Sequence, residues 1–174
     1  RVTPQLNDAI RFIDEVVFET GFQWQGLEVG GLSALAWNEP DRTLYALSDD
    51  RSRVGPARFY EFQITHLSDQ KANLNLSAQR FLKNQNGETF AKRSVDPEGI
   101  IYHPQGFLRV SSEGDLGVSP KVAPRIFAFN RDGSFRGEMS VPKAYWDPLN
   151  DKVGVRRNKA FEGLTQDSKG RCFF

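Results

Sequence analysis

Short runs rich in apolar residues at alternating positions recur along the chain, and turn-forming residues separate them. Two of these runs are Arg58–Ile64 and Arg125–Asn130. A period of two is typical of β-strands that bury one face and expose the other. We therefore predict an all-β chain built from short strands.

A longer repeat organises these runs. Leu32–Asn38 aligns with Pro97–His103 and again with Phe161–Asp167, at spacings of 65 and 64 residues. Each copy continues through a turn into a second apolar run, which predicts three antiparallel hairpins. The second runs of the three copies are Thr43–Ser48, Phe107–Ser111 and Gly170–Phe174.

The first two copies also contain a third and a fourth run, which completes a four-stranded unit. The predicted fourth strands are Leu76–Phe81 and Phe135–Val141. Repeated four-stranded antiparallel sheets are typical of β-propeller blades, in which the first strand lines the central channel. We predict a β-propeller with about three blades of a larger, six-bladed ring. The repeat exceeds the roughly 40 to 50 residues of familiar blades, so the surplus is expected in loops at 49–57, 84–97 and 143–159.

The N-terminal segment allows two interpretations. Ile10, Ile13, Val16 and Val17 have the spacing of an amphipathic helix, whereas the β-branched and aromatic run Ile13–Phe18 is typical of a strand. We favour the strand, which would complete the last blade of a closed ring.

Composition excludes several classes of function. The 23 basic and 22 acidic residues nearly cancel and are interspersed, which argues against a nucleic-acid partner. No stretch approaches the roughly 18 consecutive apolar residues of a membrane-spanning helix. Cys172 is the only cysteine, so neither an intrachain disulfide framework nor a cysteine-based metal site is expected.

Acidic residues recur at equivalent places in the repeat. Glu98 and Glu162 each precede a glycine at the start of a predicted channel strand, where the first copy has Ser33. Further acidic residues follow the second strands. A ring of carboxylates at one mouth of a propeller suits a hard cation such as calcium, which takes six to eight oxygen ligands. The candidate ligands are Asp49, Asp50, Glu98, Glu113 and Glu162, and Glu98 and Glu162 are also the candidate catalytic residues.

A structural interpretation of these carboxylates stays open, because Asp and Glu beside Gly are ordinary turn formers and acceptors of hydrogen bonds between blades. Arginines near the carboxylates allow a similar choice. Guanidinium groups bind phosphate or carboxylate ligands bidentately, but Arg58 and Arg125 each open a third strand, and for them inter-blade ion pairs are favoured. The candidate substrate-binding residues are Arg51, Arg125, Arg157 and Asn158.

Nucleophilic catalysis has little support in the sequence. Ser33 lies in Gly31-Leu32-Ser33-Ala34-Leu35, which lacks the final glycine of the Gly-x-Ser-x-Gly elbow. The two histidines, His66 and His103, have no metal-ligand spacing and no evident acidic partner. We therefore read Ser33 as structural.

The ordered set of motifs resembles the phytase-like domain family, also called the esterase-like activity of phytase family. The motifs that carry the resemblance from about Phe12 onward are Gly30–Leu35, Leu44–Arg51, Ala57–Tyr60, Asp96–Ile100, Ser111–Gly114, Pro124–Ile126 and Asn158–Leu164. The resemblance implies a propeller domain about twice this long, of which residues 1–174 are the N-terminal half and the remaining blades are the partner. It also implies a periplasmic or secreted location.

The resemblance implies calcium-assisted hydrolysis of phosphate esters or related esters, with a small anionic substrate. The Asp-Ala-Asp-Asp signature of calcium-dependent propeller phytases is absent, and Asp49-Asp50 matches it only in part. Two alternatives stay open: a non-catalytic propeller that binds a protein or polysaccharide, and a lactonase-type propeller hydrolase, which would require a base such as histidine near the metal.

Overall fold

The structure is a computed structural model that describes residues 12, 14–68, 71–142, 144–146, 154–156 and 159–174. Within these ranges the regular structure consists of β-strands, and none of it is α-helical. The described residues accordingly include no helix long and apolar enough to cross a membrane. The all-β prediction is confirmed.

In the described part of the chain, twelve strands form two four-stranded sheets and two small hairpins. The first hairpin pairs β1 (Gln23–Trp24) with β2 (Leu27–Glu28). Every pairing is antiparallel between strands consecutive in the chain, as in propeller blades. The first sheet contains β3 (Leu32–Asn38), β4 (Thr43–Ser48), β5 (Arg58–Ser68) and β6 (Lys71–Phe81); the second contains β7 (Pro97–His103), β8 (Phe107–Ser112), β9 (Arg125–Phe129) and β10 (Phe135–Met139); the last hairpin contains β11 (Thr165–Gln166) and β12 (Cys172–Phe173).

The strand registers reproduce the sequence repeat. Ala36 pairs with Tyr45 in the first sheet, Ile101 with Arg109 in the second, and Thr165 with Phe173 in the last hairpin. In both four-stranded sheets the register shifts near the start of the first strand, between Leu32 and Ala34 and between Pro97 and Gly99. Ser33 and Glu98 are the extra residues of these two bulges. A bulge re-aims a side chain and is common beside functional sites.

Apolar side chains from the two sheets form one shared core. Tyr45, Leu47 and Phe59 of the first sheet and Leu108 and Phe129 of the second are fully buried in the same cluster. The rings of Tyr45 and Tyr102 stack across the interface, with centroids 5.8 Å apart. Burial of side chains of this size contributes about 1.5–3 kcal/mol each. This core places β3 beside β7, so that loops from both sheets meet at one end.

The predicted N-terminal strand Ile13–Phe18 is wrong over its described residues. Residues 14–19 form neither strand nor helix. Side chains rather than a backbone ladder hold this segment: the Phe18 ring lies 5.7 Å from that of Phe62, and Asp14 Oδ2 accepts a hydrogen bond from the backbone N–H of Ala72. Tertiary contacts to the first sheet therefore override the β-propensity of this segment.

Candidate metal and substrate site

Three carboxylates meet at the end of the second sheet that faces the first. Asp96 immediately precedes β7, Glu98 lies on β7, and Glu113 follows β8. One oxygen from each lies within 4.8 Å of the others. Three convergent carboxylate oxygens are a donor set that suits a hard divalent cation. We call Asp96, Glu98 and Glu113 the carboxylate triad.

Backbone hydrogen bonds fix the position of the triad. The backbone N–H of Glu113 donates to the carbonyl of Asp96 at 2.9 Å. The Ser112 hydroxyl accepts from the N–H of Asp96 at 3.0 Å and from that of Gly114 at 3.3 Å. The bulge at Glu98 places its side chain next to these strand ends. The open end of the hairpin β7–β8, where β7 begins and β8 ends, therefore presents all three carboxylates.

Burial and the charges of neighbouring carboxylates disfavour the ionised forms of Asp96 and Glu98. Burial, together with the charges of Asp96 and Glu113, raises the pKa of Glu98 to about 7. Burial also raises the pKa of Asp96 to about 6, although the Arg51 guanidinium acts in the opposite direction. A bound cation would relieve this repulsion, so the electrostatics of the triad fit a metal site.

One oxygen of Asp96 lacks a protein partner. Asp96 is 1 % exposed, and neither of its carboxyl oxygens has a hydrogen-bond partner among the described residues; Oδ2 has the Arg51 guanidinium as its ion-pair partner, whereas Oδ1 has none. Buried polar atoms are almost always satisfied, and the exceptions frequently mark a missing ion or water. This unpartnered oxygen belongs to the triad. It points to a ligand at the triad independently of the number of carboxylates that meet there.

Arg51 comes from the first sheet and reaches the triad of the second. Its Nη2 atom lies 2.7 Å from Asp96 Oδ2 and 3.9 Å from Glu113 Oε2. The other carboxyl oxygen of Glu113, Oε1, accepts a hydrogen bond from the backbone N–H of Ala160 at 2.9 Å. The loop after β4 and the segment before β11 therefore both contact the triad.

The two aspartates after β4 have different surroundings. Asp49 is exposed, and its charge contributes to the raised pKa of Glu98. Burial acts to raise the pKa of Asp50, but hydrogen bonds outweigh it, and the pKa lies below the ordinary value. Its carboxylate accepts from the backbone N–H groups of Arg53, Val54 and Gly55 and from Arg58 Nη1. Asp50 thereby stabilises the loop that follows it.

Asp49 and Asp50 also line a cavity of about 430 Å³ in the first sheet. Gly31, Arg53 and Arg58 contribute to the same walls. Asp50 immediately precedes Arg51, whose guanidinium contacts Asp96, so the cavity adjoins the loop that reaches the triad.

Two of the repeated arginines pair within their own sheets. Arg58 is 2 % exposed; it donates to Asp50, to the Tyr60 hydroxyl and to the carbonyl of Glu28. The exposed Arg125 pairs with Glu138 of the neighbouring strand β10 at 3.0 Å. Both arginines therefore make structural contacts, but the predicted ion pairs between blades are wrong, because each pair lies within one sheet and its loops. Arg157 and Asn158 lie outside the described residues.

Glu162 is exposed. It lies two residues after Ala160, whose backbone N–H donates a hydrogen bond to Glu113. Its carboxylate is not part of the triad. Sequence reasoning missed Asp96 as a site residue. The buried Asp115, which pairs with Arg93 at 2.7 Å, lies outside the triad. The sequence contained one signal for Asp96. Pro97 marks the first residue of a strand, so Asp96 lies at the same strand end as Glu98.

Neither histidine belongs to the cluster of metal-ligating side chains at the triad. His66 is exposed on β5. His103 ends β7, five residues beyond Glu98, which corresponds to about 16 Å along an extended strand. The described residues therefore offer no histidine base at the triad.

The raised pKa of Glu98 predicts an unusual pH dependence of stability in protein freed of divalent cations. Because the folded-state pKa of about 7 exceeds the ordinary 4.5, the folded state binds the proton more tightly than the unfolded state. Relative to the variant Glu98→Gln, wild-type stability should fall as pH rises from about 4.5 to 7.5, by about 1–2 kcal/mol after allowance for solvent screening. Urea unfolding across this range, with a chelator present, measures the difference; a difference that is constant with pH would contradict the prediction.

A family model matches most of the chain. The model of the Phytase-like family, described as "Esterase-like activity of phytase", matches residues 27–174. No curated protein and no solved structure is detectably similar to the chain. The match includes both four-stranded sheets, the last hairpin and the whole triad. The chain therefore belongs to the Phytase-like family.

Proposed function

We propose that the protein is a calcium-assisted hydrolase of phosphate esters and that the triad holds the cation. The observation that carries the proposal is the convergence of Asp96, Glu98 and Glu113 within 4.8 Å, with a buried Asp96 oxygen left unpartnered. Membership of a family described by esterase-like activity supports hydrolysis as the reaction class. A donor set made only of oxygen atoms favours a hard cation such as calcium over softer transition metals, which prefer nitrogen or sulfur ligands.

Each residue at the site has a distinct proposed task. The triad binds the cation and, through the rigid ends of β7 and β8, fixes its position. Arg51 supplies a planar guanidinium that can bind a phosphate group bidentately. The cavity beside Asp49 accommodates the remainder of a small anionic substrate. When bound, calcium would polarise the phosphoryl oxygen and lower the pKa of a coordinated water.

Hydrolysis assays test the proposal directly. The chain, purified with a chelator and then supplied with calcium, should hydrolyse p-nitrophenyl phosphate, and excess EGTA should abolish the reaction. Calcium should also raise the melting temperature, since a ligand that binds only the folded state stabilises it by mass action. A folded protein that hydrolyses no phosphate ester at any calcium concentration would refute the enzymatic proposal.

A binding function is the second candidate, and the Arg51–Asp96 ion pair favours it. This pair joins the loop after β4 to the start of β7 and therefore links the two sheets. In a non-catalytic propeller the triad would be scaffolding, and the rim would bind a protein or a polysaccharide. Such a protein would keep its stability when calcium is removed. A lactonase has less support, because the described residues place no histidine beside the triad.

A further inference from the structure

Arg51 is the cation that faces the triad. Its Nη2 atom is 2.7 Å from Asp96 Oδ2 and 3.9 Å from Glu113 Oε2, so one guanidinium nitrogen approaches two of the three carboxylates. The three carboxylate oxygens of the triad lie within 4.8 Å of one another. A divalent cation coordinated by Asp96 and Glu113 would therefore lie within a few ångströms of this guanidinium, where like charges repel strongly.

The guanidinium leaves the triad incompletely satisfied. Although Arg51 pairs with Asp96 Oδ2, the buried Oδ1 atom has no partner among the described residues. Among the described residues, Arg51 is the one cation that forms an ion pair with carboxylates of the triad. A divalent cation could contact oxygens that Arg51 does not reach, and it would bring a higher charge.

Arg51 differs from Arg58, which begins β5 after the same loop, in how many contacts hold its side chain. Arg58 is 3 % exposed at its side chain and donates to four oxygens, which fix its position. The Arg51 side chain is 22 % exposed and pairs only with carboxylates of the triad among the ion pairs described. Its backbone is fixed, since its carbonyl accepts from the N–H of Arg93 at 2.8 Å. The side chain can therefore change partners while the loop stays in place.

We propose that Arg51 is the internal counter-ion of the triad and competes with the divalent cation for Asp96 and Glu113. This inference rests on the proposed function, because it takes the triad to be the metal site. Binding of the cation displaces the guanidinium from the two carboxylates. The displaced group is then available to the anionic group of the substrate. Metal binding and substrate binding are thereby coupled through one positioning residue.

The proposal predicts effects of opposite sign in a single variant. Arg51→Gln removes the competing charge, so calorimetric titration should show calcium bound about 10-fold more tightly than by the wild type. The same variant should bind inorganic phosphate about 10-fold more weakly in the presence of calcium. Arg51→Lys retains the charge and should keep a calcium affinity close to that of the wild type.

Arg93→Gln is the matched control. Arg93 makes a similar ion pair at 2.7 Å with the neighbouring Asp115, which is not a member of the triad. Its loss should change calcium affinity less than about threefold. Urea unfolding with a chelator present verifies that each variant folds.

Two outcomes would overturn the proposal, and they are distinguishable. If the wild type binds calcium and Arg51→Gln binds it no more tightly, Arg51 does not compete, but the metal site stands. If neither protein binds calcium, both the competition and the proposed function fail, and Arg51 is a link between the two sheets.

Discussion

Replacing Glu98 by glutamine should reduce calcium-dependent hydrolysis of p-nitrophenyl phosphate by about 100-fold or more, equivalent to about 2.7 kcal/mol in the activation barrier. Glutamine has nearly the same shape but offers the cation a neutral amide oxygen instead of a carboxylate. The loss should be accompanied by weaker binding of calcium, because Glu98 contributes one of the three triad oxygens. Initial rates measured at several calcium concentrations separate weaker metal binding from slower catalysis.

Stability in the absence of calcium controls for misfolding of this variant. Removal of the Glu98 charge relieves repulsion with Asp96 and Glu113, so Glu98→Gln should be at least as stable as the wild type at pH 8 in EGTA. Glu88→Gln, at an exposed loop position, should keep wild-type activity. Full calcium-dependent activity in a folded Glu98→Gln variant would remove Glu98 from the site.

Glu162→Gln tests the second carboxylate that the repeat places at the same position. Glu162 is exposed and does not belong to the triad, so we expect a smaller loss of activity than with Glu98→Gln. A loss as large as that of Glu98→Gln would show instead that the equivalent carboxylates of successive repeats act together.

Replacing Gly99 by alanine should lower the free energy of unfolding by about 1–3 kcal/mol. Gly99 lies at the contact between the second sheet and the segment before β11. An added Cβ would lie 2.7 Å from Ser111 Oγ, 2.8 Å from Leu164 Cβ and 3.1 Å from the backbone N of Leu164. Backbone cannot move aside as easily as the end of a flexible side chain, so this packing must loosen.

The chain supplies its own control for this substitution. Gly163 occupies the same position in the next repeat, and an added Cβ there would meet no described atom within 4 Å. Gly163→Ala should therefore change stability by no more than about 0.5 kcal/mol. Urea denaturation compares the two variants. Equal midpoints would contradict the packing of the last hairpin against the second sheet.

The repeat in the sequence predicted the hairpins well because hairpins are local. Period-two patterning and turn residues determine which segments pair, and the registers at Ala36, Ile101 and Thr165 follow the repeat. The strands β5 and β6 extend beyond the predicted limits, to Ser68 and from Lys71, because their additional residues pair with one another outside the blade core.

The site was harder to predict, because it depends on which strand ends meet in space. Repeat equivalence identified Glu98, and position after β8 identified Glu113. The repeat did not show that Asp49 and Asp50 differ in role. The Asp50 carboxylate accepts hydrogen bonds from the backbone of its own loop. The repeat also gave no sign that Asp96 would be buried or that Arg51 would cross between sheets to pair with it. Long-range pairing of charges leaves no periodic signal along the chain.

Calcium titration of the wild type and of Asp96→Asn, followed by calorimetry at pH 7.5, tests the central claim most directly. Asparagine preserves the size of this buried side chain but removes its charge and replaces one oxygen by a donor amide. We expect one calcium bound per wild-type chain, an increase in melting temperature, and binding at least about 10-fold weaker in the variant. Equal calcium affinity in the two folded proteins, or no binding by the wild type, would contradict a metal site at the triad.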